Sequence, residues 1–252
     1  MKLSVAVRAA LLALFLTAGT VYADVNTLCT QFDSQIEALD VRGAKQTIDK
    51  ALQEDPSSCQ ALYRLSRVLV LLSDQEQDEN KRITMYNQAV DAANKALQKN
   101  SSCMGAYVYR AAANGKIALT KGIFSVGAVV TQVRDDATKA IQLHNDTPQR
   151  LAAAYYILGR THLNVQRKPK FVRLPLGLGW GNYDEALQYL SKARELRKDF
   201  IMFELEYARC LAEGDREQEA LAVARRISAL KPLEPGDQKR QQEAIEFIKD
   251  IE

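Results

Sequence analysis

The chain repeats itself. KALQEDPSSCQALYRLSRV from Lys50, KALQKNSSCMGAYVYRAAA from Lys95, KAIQLHNDTPQRLAAAYYILGR from Lys139 and KARELRKDFIMFELEYARC from Lys192 share one plan. Each finishes an amphipathic helix, passes a short polar turn and enters a second amphipathic helix. A unit of this kind cannot bury its apolar face alone, so it must stack on copies of itself. The expected fold is therefore all-α: a solenoid of about five helix pairs, with the amphipathic stretch Asp237–Ile251 as a C-terminal capping helix. The repeat starts are 45, 44 and 53 residues apart, so long inter-helix insertions are expected. They fall at SDQEQDENKR after Leu72, at TKGIFSVGAVV after Leu119, and at KFVRLPLGLGWGNYDEA from Lys170 to Ala186.

Small residues recur where such helices would cross. Ala208, Ala220 and Pro232 mark one unit, Leu158-Gly159 with Ala186 and Ala193 another, and Ala44, Ile48, Ala51 and Pro56 the first. Helices approach closely only where side chains are small. This spacing resembles the tetratricopeptide repeat, a unit of ~34 residues. AIQLHNDTPQRLAAAYYILGR, then a long loop, then GNYDEALQYLSKARELRKDF is similar to the regulator of microtubule dynamics family, including its exported bacterial members, over about residues 60–232. The resemblance implies a right-handed solenoid whose first helices line a concave groove, a scaffold for a partner protein, and no catalysis. A looser similarity, to periplasmic tetratricopeptide partners of substrate-binding transporters, implies an alternative: an accessory that holds a small organic anion.

Carried over by residue, the family pattern places Tyr63 and Arg67, Tyr107 and Ala111, Tyr156 and Arg160, and Leu205 and Arg209 in that groove. The Tyr–Arg pairs stand four residues apart, so both side chains rise on one helical face. Tyrosine offers rigid apolar contact and a hydroxyl, and arginine a forked donor for carboxylates. The expected partner is a protein with an acidic or carboxylate-bearing segment. The competing reading packs the tyrosines between helices and pairs the arginines with local acids such as Glu206.

The Gly-x-Gly-x-Gly run at Gly177–Gly181 raises the question of a phosphate loop. Such a loop follows a strand and leads into a helix through Gly-Lys-Ser/Thr. Here a helix precedes it and that signature is absent, so the glycines let a long connection fold back on the stack. Asn182 or Asp184 can cap the next helix. Arg167, Lys168, Lys170 and Arg173 form a basic lead-in, a solvated loop or a contact for a phosphate, an acidic peptide or an anionic membrane face. Trp180 is expected to anchor this loop beside the groove.

Residues 1–23 carry Lys2 and Arg8, an uncharged apolar run and a small-residue close at Val21-Tyr22-Ala23. That is the form of a secretory signal peptide, which makes residues 24–252 the mature solenoid. Export is expected, to the periplasm or beyond, with no transmembrane anchor after cleavage. Without Lys2 and Arg8 the formal charge falls from +3 to +1, which gives no footprint for nucleic acid. Asn100-Ser101-Ser102 and Asn145-Asp146-Thr147 match the glycosylation acceptor pattern, which matters only in a eukaryotic secretory pathway.

The four cysteines are Cys29, Cys59, Cys103 and Cys210, and the histidines are His144 and His162. No zinc-ligand spacing and no cofactor motif appears, and no Ser-His-Asp set can be drawn. Cys59 and Cys103 occupy matching places in successive repeats, where helices stand roughly 8–10 Å apart, beyond disulfide reach. A Cys29–Cys59 bridge stays open, and Cys210 reads as a core residue.

Overall fold

A computed structural model describes residues 24–121 and 127–252. Its helices are α1 (Val25–Glu37), α2 (Val41–Glu54), α3 (Cys59–Ser73), α4 (Glu79–Lys99), α5 (Met104–Thr120), α6 (Gly127–Leu143), α7 (Pro148–Gln166), α8 (Lys170–Arg173), α9 (Tyr183–Leu196), α10 (Ile201–Glu213), α11 (Glu217–Ile227) and α12 (Asp237–Ile251). They pair as α1/α2, α3/α4, α5/α6, α7/α9 and α10/α11, and α12 follows as the cap. Among the described residues there is no strand, and no helix is long and apolar enough to cross a membrane. The leader expected at 1–23 lies outside the described residues.

Local chemistry starts these helices where polar turns end. Asp40, Ser58, Asp78, Thr147 and Asn182 each accept a hydrogen bond from the backbone N–H three residues on, satisfying a donor that the first turn leaves orphaned. Asn182, rather than Asp184, caps α9.

Two of the expected insertions are partly absorbed into helices. Asp78 caps α4 at Glu79, so the acidic stretch after Leu72 contributes only a short loop, and the rest lengthens α4 to 21 residues. The segment expected as an apolar insertion enters α6 at Gly127; its residues 122–126 lie outside the described ones. The third insertion is a true connection between α7 and α9, interrupted by the four-residue α8.

The first helices α1, α3, α5, α7 and α10 pack in succession on one side and their partners follow on the other. The apolar interior is a string of local clusters instead of one central core. Phe32, Ile36 and Ile48 fill the first pair. Tyr156, Leu190, Phe200 and Phe203 fill the joint between the fourth and fifth. Ala244 of α12 covers Ile201, Leu205 and Ile227 at the end of the stack. The crossings are made by side chains with no exposed surface: Ala44, Ala51, Ala186, Ala193, Ala208 and Ala220.

The cysteines correct one expectation. Cys59 and Cys103 form a disulfide, with Cα atoms 6.6 Å apart. The general helix spacing fails here because α3 and α5 converge at their first turns. Gly105 sits against the face of Tyr63, and a Cβ on it would lie 2.9 Å from the ring. Cys59 opens α3 and Cys103 caps α5, and at such positions side chains tilt toward the N-terminal end, where the two sulfurs meet. Cys29 and Cys210 are buried and free, so the Cys29–Cys59 alternative is excluded. Burial raises the Cys210 thiol to about 12, in keeping with an inert core residue.

Candidate functional site: a cationic cavity on the concave side

The concave side encloses a cavity of about 450 Å³. Its walls come from α3, α5 and α7, its rim from the start of α6 and the α7–α9 connection, and its far side from the chain around α12. Val70, Val108, Ala111, Ala153, Ile157 and Met202 give it apolar walls. Arg67, Arg150, Arg160, Arg197 and Arg240, with Lys116, Lys121 and Lys168, set eight cationic side chains around it against two acids, Asp74 and Glu234.

Lys116 pairs with Asp74 at 2.7 Å, and Arg160 and Arg240 have Glu206 and Asp237, so the shortage of partners is confined to the surroundings of Glu234. Arg67 reaches Glu234 at 3.2 Å and Asp33 of α1 only at 3.8 Å. Arg197 reaches the same Glu234 at 3.9 Å and otherwise lies on the Phe200 ring, 3.6 Å from its centroid. Burial lowers the Arg197 guanidinium below its ordinary value, against the pull of Glu234. Two guanidinium groups therefore share one carboxylate. Arg150 pairs with Asp146 at 2.7 Å and spreads over the Tyr63 ring at 5.2 Å.

Glu234 is held in place by its own turn. Leu233-Glu234-Pro235-Gly236-Asp237 links α11 to α12, and Gly236 adopts φ 88° as the N-cap of α12, a backbone region glycine enters without strain. Buried Asp237 accepts from the backbone N–H groups of Leu233 and Glu234 at 2.9 and 2.8 Å and pairs with Arg240 at 2.7 Å. Repeat reasoning passes over this turn because it falls between the last repeat and the cap; its Pro-Gly pair is the signal that could have found it.

The residues expected in the groove divide. Arg67, Ala111, Tyr156 and Arg160 line the cavity. Arg160 donates to the Tyr156 hydroxyl at 3.2 Å, and burial raises the Tyr156 phenol above its ordinary value, keeping it neutral. Arg209 and the largely buried Leu205 border a depression of about 300 Å³ that continues from the cavity past Tyr156 and Arg160.

Tyr63 and Tyr107 must be corrected. Tyr63 has no exposed surface; it fills the α3–α5 contact against Gly105 and stacks on Tyr109 at 6.0 Å. Tyr107 donates to the Ser101 carbonyl at 3.2 Å and lies outside the lining. Tyr109 takes its place, on one stripe with Ala112 and Lys116. In YVYR the two tyrosines point away from each other, and the sequence carries no signal for which of them faces inward.

Some arginines also satisfy local acids. Glu206, almost wholly buried, is ringed by Arg160, Arg167 and Arg209 at 3.6, 3.8 and 3.9 Å. Arg209 pairs with Glu243 at 3.0 Å, and Arg167 with Glu213.

The α7–α9 connection is tied down at its base. Arg173 is buried and donates to the Gly181 carbonyl at 2.9 Å, and Leu178 is fully buried. Trp180 packs edge-on against His162 at 5.1 Å under the Arg134 guanidinium, so it anchors the loop. Lys170 is exposed at the tip, and Lys168 is exposed at the cavity rim.

A curved stack of helix pairs, closed by a capping helix and lined on its inner side by its first helices, defines a tetratricopeptide-type repeat protein. The solved structures it matches agree. It superposes on a thermophilic TPR protein of Thermus thermophilus at TM-score 0.60 and 17% identity, covering 88% of this chain and 98% of that one. It also superposes on pilF of Pseudomonas aeruginosa at TM-score 0.54 and 15% identity, covering 90% and 91%. At these identities the likeness is one of fold. The sequence matches no curated protein. Its family is settled by the profile of regulator of microtubule dynamics protein 1-3, which matches residues 22–252; the chain belongs to that family.

Proposed function

We propose that the chain is a non-catalytic scaffold that holds an acidic, carboxylate-bearing segment of a partner protein in its concave cavity. The observation that carries this reading is the pairing deficit around Glu234: Arg67 and Arg197 converge on a single carboxylate beside apolar walls. An incoming carboxylate supplies the missing acceptor, and arginine forks orient it. The apolar walls take the side chains beside it. Arg160 and Arg209 extend the same cationic strip along the groove.

Charge reversal of Arg67 and Arg160 to Glu should abolish capture of an acidic peptide, followed by fluorescence anisotropy, with helicity by circular dichroism unchanged. Undiminished capture by the doubly reversed chain refutes the groove.

A second reading rests on the cavity volume, which lies in the range of small-molecule sites: an accessory that holds a small organic anion. The two separate cleanly. Thermal stabilisation by a small carboxylic acid and assembly into a ring favour the accessory; co-purification with a protein favours the scaffold.

Export to the periplasm belongs to the same proposal. It is supported by the apolar leader at 1–23 and by the Cys59–Cys103 disulfide, since such bonds persist in oxidising compartments. A mature chain beginning at Asp24 in the periplasmic fraction is the expected result.

A further inference from the structure

We propose that the tip of the α7–α9 connection is a docking element for an anionic lipid bilayer. Phe171 is 79% exposed and Leu174 57% exposed, the two most exposed large apolar side chains of the described residues. They stand three apart on the turn of α8, so they project from one side. Lys168 and Lys170 flank them, exposed and without an ion-pair partner among the described residues. From Arg167 to Tyr183 there is no acidic residue.

The tip is exposed although its base is fixed. The hydrogen bond from Arg173 to Gly181, the burial of Leu178 and the packing of Trp180 on His162 tie the connection to the stack. Two apolar side chains are thus held in water by a pre-shaped turn. The neighbouring rim repeats the chemistry: Leu119, 56% exposed, and Lys121 end α5 and border the same cavity mouth as Lys168. The start of α6 joins the two, since a Cβ on Gly127 would lie 3.3 Å from the Leu176 carbonyl.

This pattern fits a bilayer better than a protein. A protruding Phe–Leu pair needs a matching pocket in a protein, whereas the headgroup–acyl boundary accepts it anywhere. Unpaired lysines beside it gain from the negative potential of anionic headgroups. The attachment is weak and reversible, because two apolar side chains bury little area.

The experiment is co-sedimentation of the full chain with vesicles of phosphatidylcholine alone or with phosphatidylglycerol. Each variant is compared with the unsubstituted chain, so that the apolar leader contributes equally. The phosphatidylglycerol vesicles should retain the chain at low salt and release it as salt rises. Phe171→Ser/Leu174→Ser and Lys168→Glu/Lys170→Glu should each weaken retention by about tenfold or more. Unchanged melting temperature and Trp180 emission show that these variants stay folded. In a Phe171→Trp chain, emission should shift to the blue on anionic vesicles only.

The proposal does not depend on what the cavity holds: Arg67→Glu/Arg160→Glu should sediment like the unsubstituted chain. Retention unaffected by the tip variants, or an unshifted Phe171→Trp emission, overturns it. So does tip-dependent binding of polyglutamate without binding of vesicles, which would assign the surface to an acidic protein.

Discussion

Gly159 and Gly115 both sit inside long helices, and their surroundings give them opposite roles. A Cβ on Gly159 of α7 would lie 2.9 Å from Leu190 Cγ and 3.0 Å from the Ala186 carbonyl of α9. The carbonyl belongs to a packed backbone and cannot yield. Gly159→Val should destabilise the fold by about 1–3 kcal/mol in chemical denaturation. A Cβ on Gly115 of α5 meets nothing within 4 Å, so Gly115→Ala should stabilise by up to about 1 kcal/mol through helix propensity alone. His162 supplies a pH test. Burial lowers its imidazole below the ordinary value, although Glu185 pulls the other way. The unfolded chain therefore takes up this proton first, at about pH 6.5, and the folded state loses stability as pH falls below that point. His162→Gln should flatten the decline in melting temperature between pH 7 and pH 5. An equally steep decline in that variant would place the pH dependence elsewhere.

At the scale of elements, the α3–α5 joint is stapled as well as packed. The Cys59–Cys103 disulfide closes a sequence separation of 44 residues, long enough for a crosslink to remove substantial entropy from the unfolded chain. Cys59→Ser/Cys103→Ser should cost about 2–4 kcal/mol in urea unfolding. The helices it joins carry Arg67 and Tyr109 into the cavity, so the same variant should also weaken capture of an acidic peptide. Helix α12 works differently: it caps Ile201, Leu205 and Ile227, sets the turn that presents Glu234, and adds Arg240 to the cavity lining.

For the whole molecule, the consequence is a groove that closes on itself. Glu234 lies 167 residues beyond Arg67 in sequence, yet the two carry a hydrogen bond across the concave side. Under the proposed function, Glu234 pairs the two arginines and its charge opposes an acidic partner brought to them. Glu234→Gln should raise affinity for an acidic peptide several-fold while lowering thermal stability, since it leaves Arg67 and Arg197 without their shared countercharge. Calorimetric titration of the two chains decides this; equal affinities would mean that Glu234 and the partner do not compete.

The sequence alone determined the helix pairs, the capping helix, the small-residue crossings and the family. All of these follow from short-range patterns: a 3.6-residue period, polar caps at turns, and alanine or glycine where coils meet. It also placed Arg67, Tyr156 and Arg160 on the inner helices. Tertiary structure alone decided that Tyr109 and not Tyr107 faces the cavity, that Tyr63 is sealed beneath Gly105, that Cys59 joins Cys103, and that Glu234 closes the groove. One residue along a helix turns a side chain by about 100°, so facing depends on how far each helix rotates on its neighbours. The meeting of Glu234 with Arg67 depends on curvature summed over the stack, which no single repeat encodes.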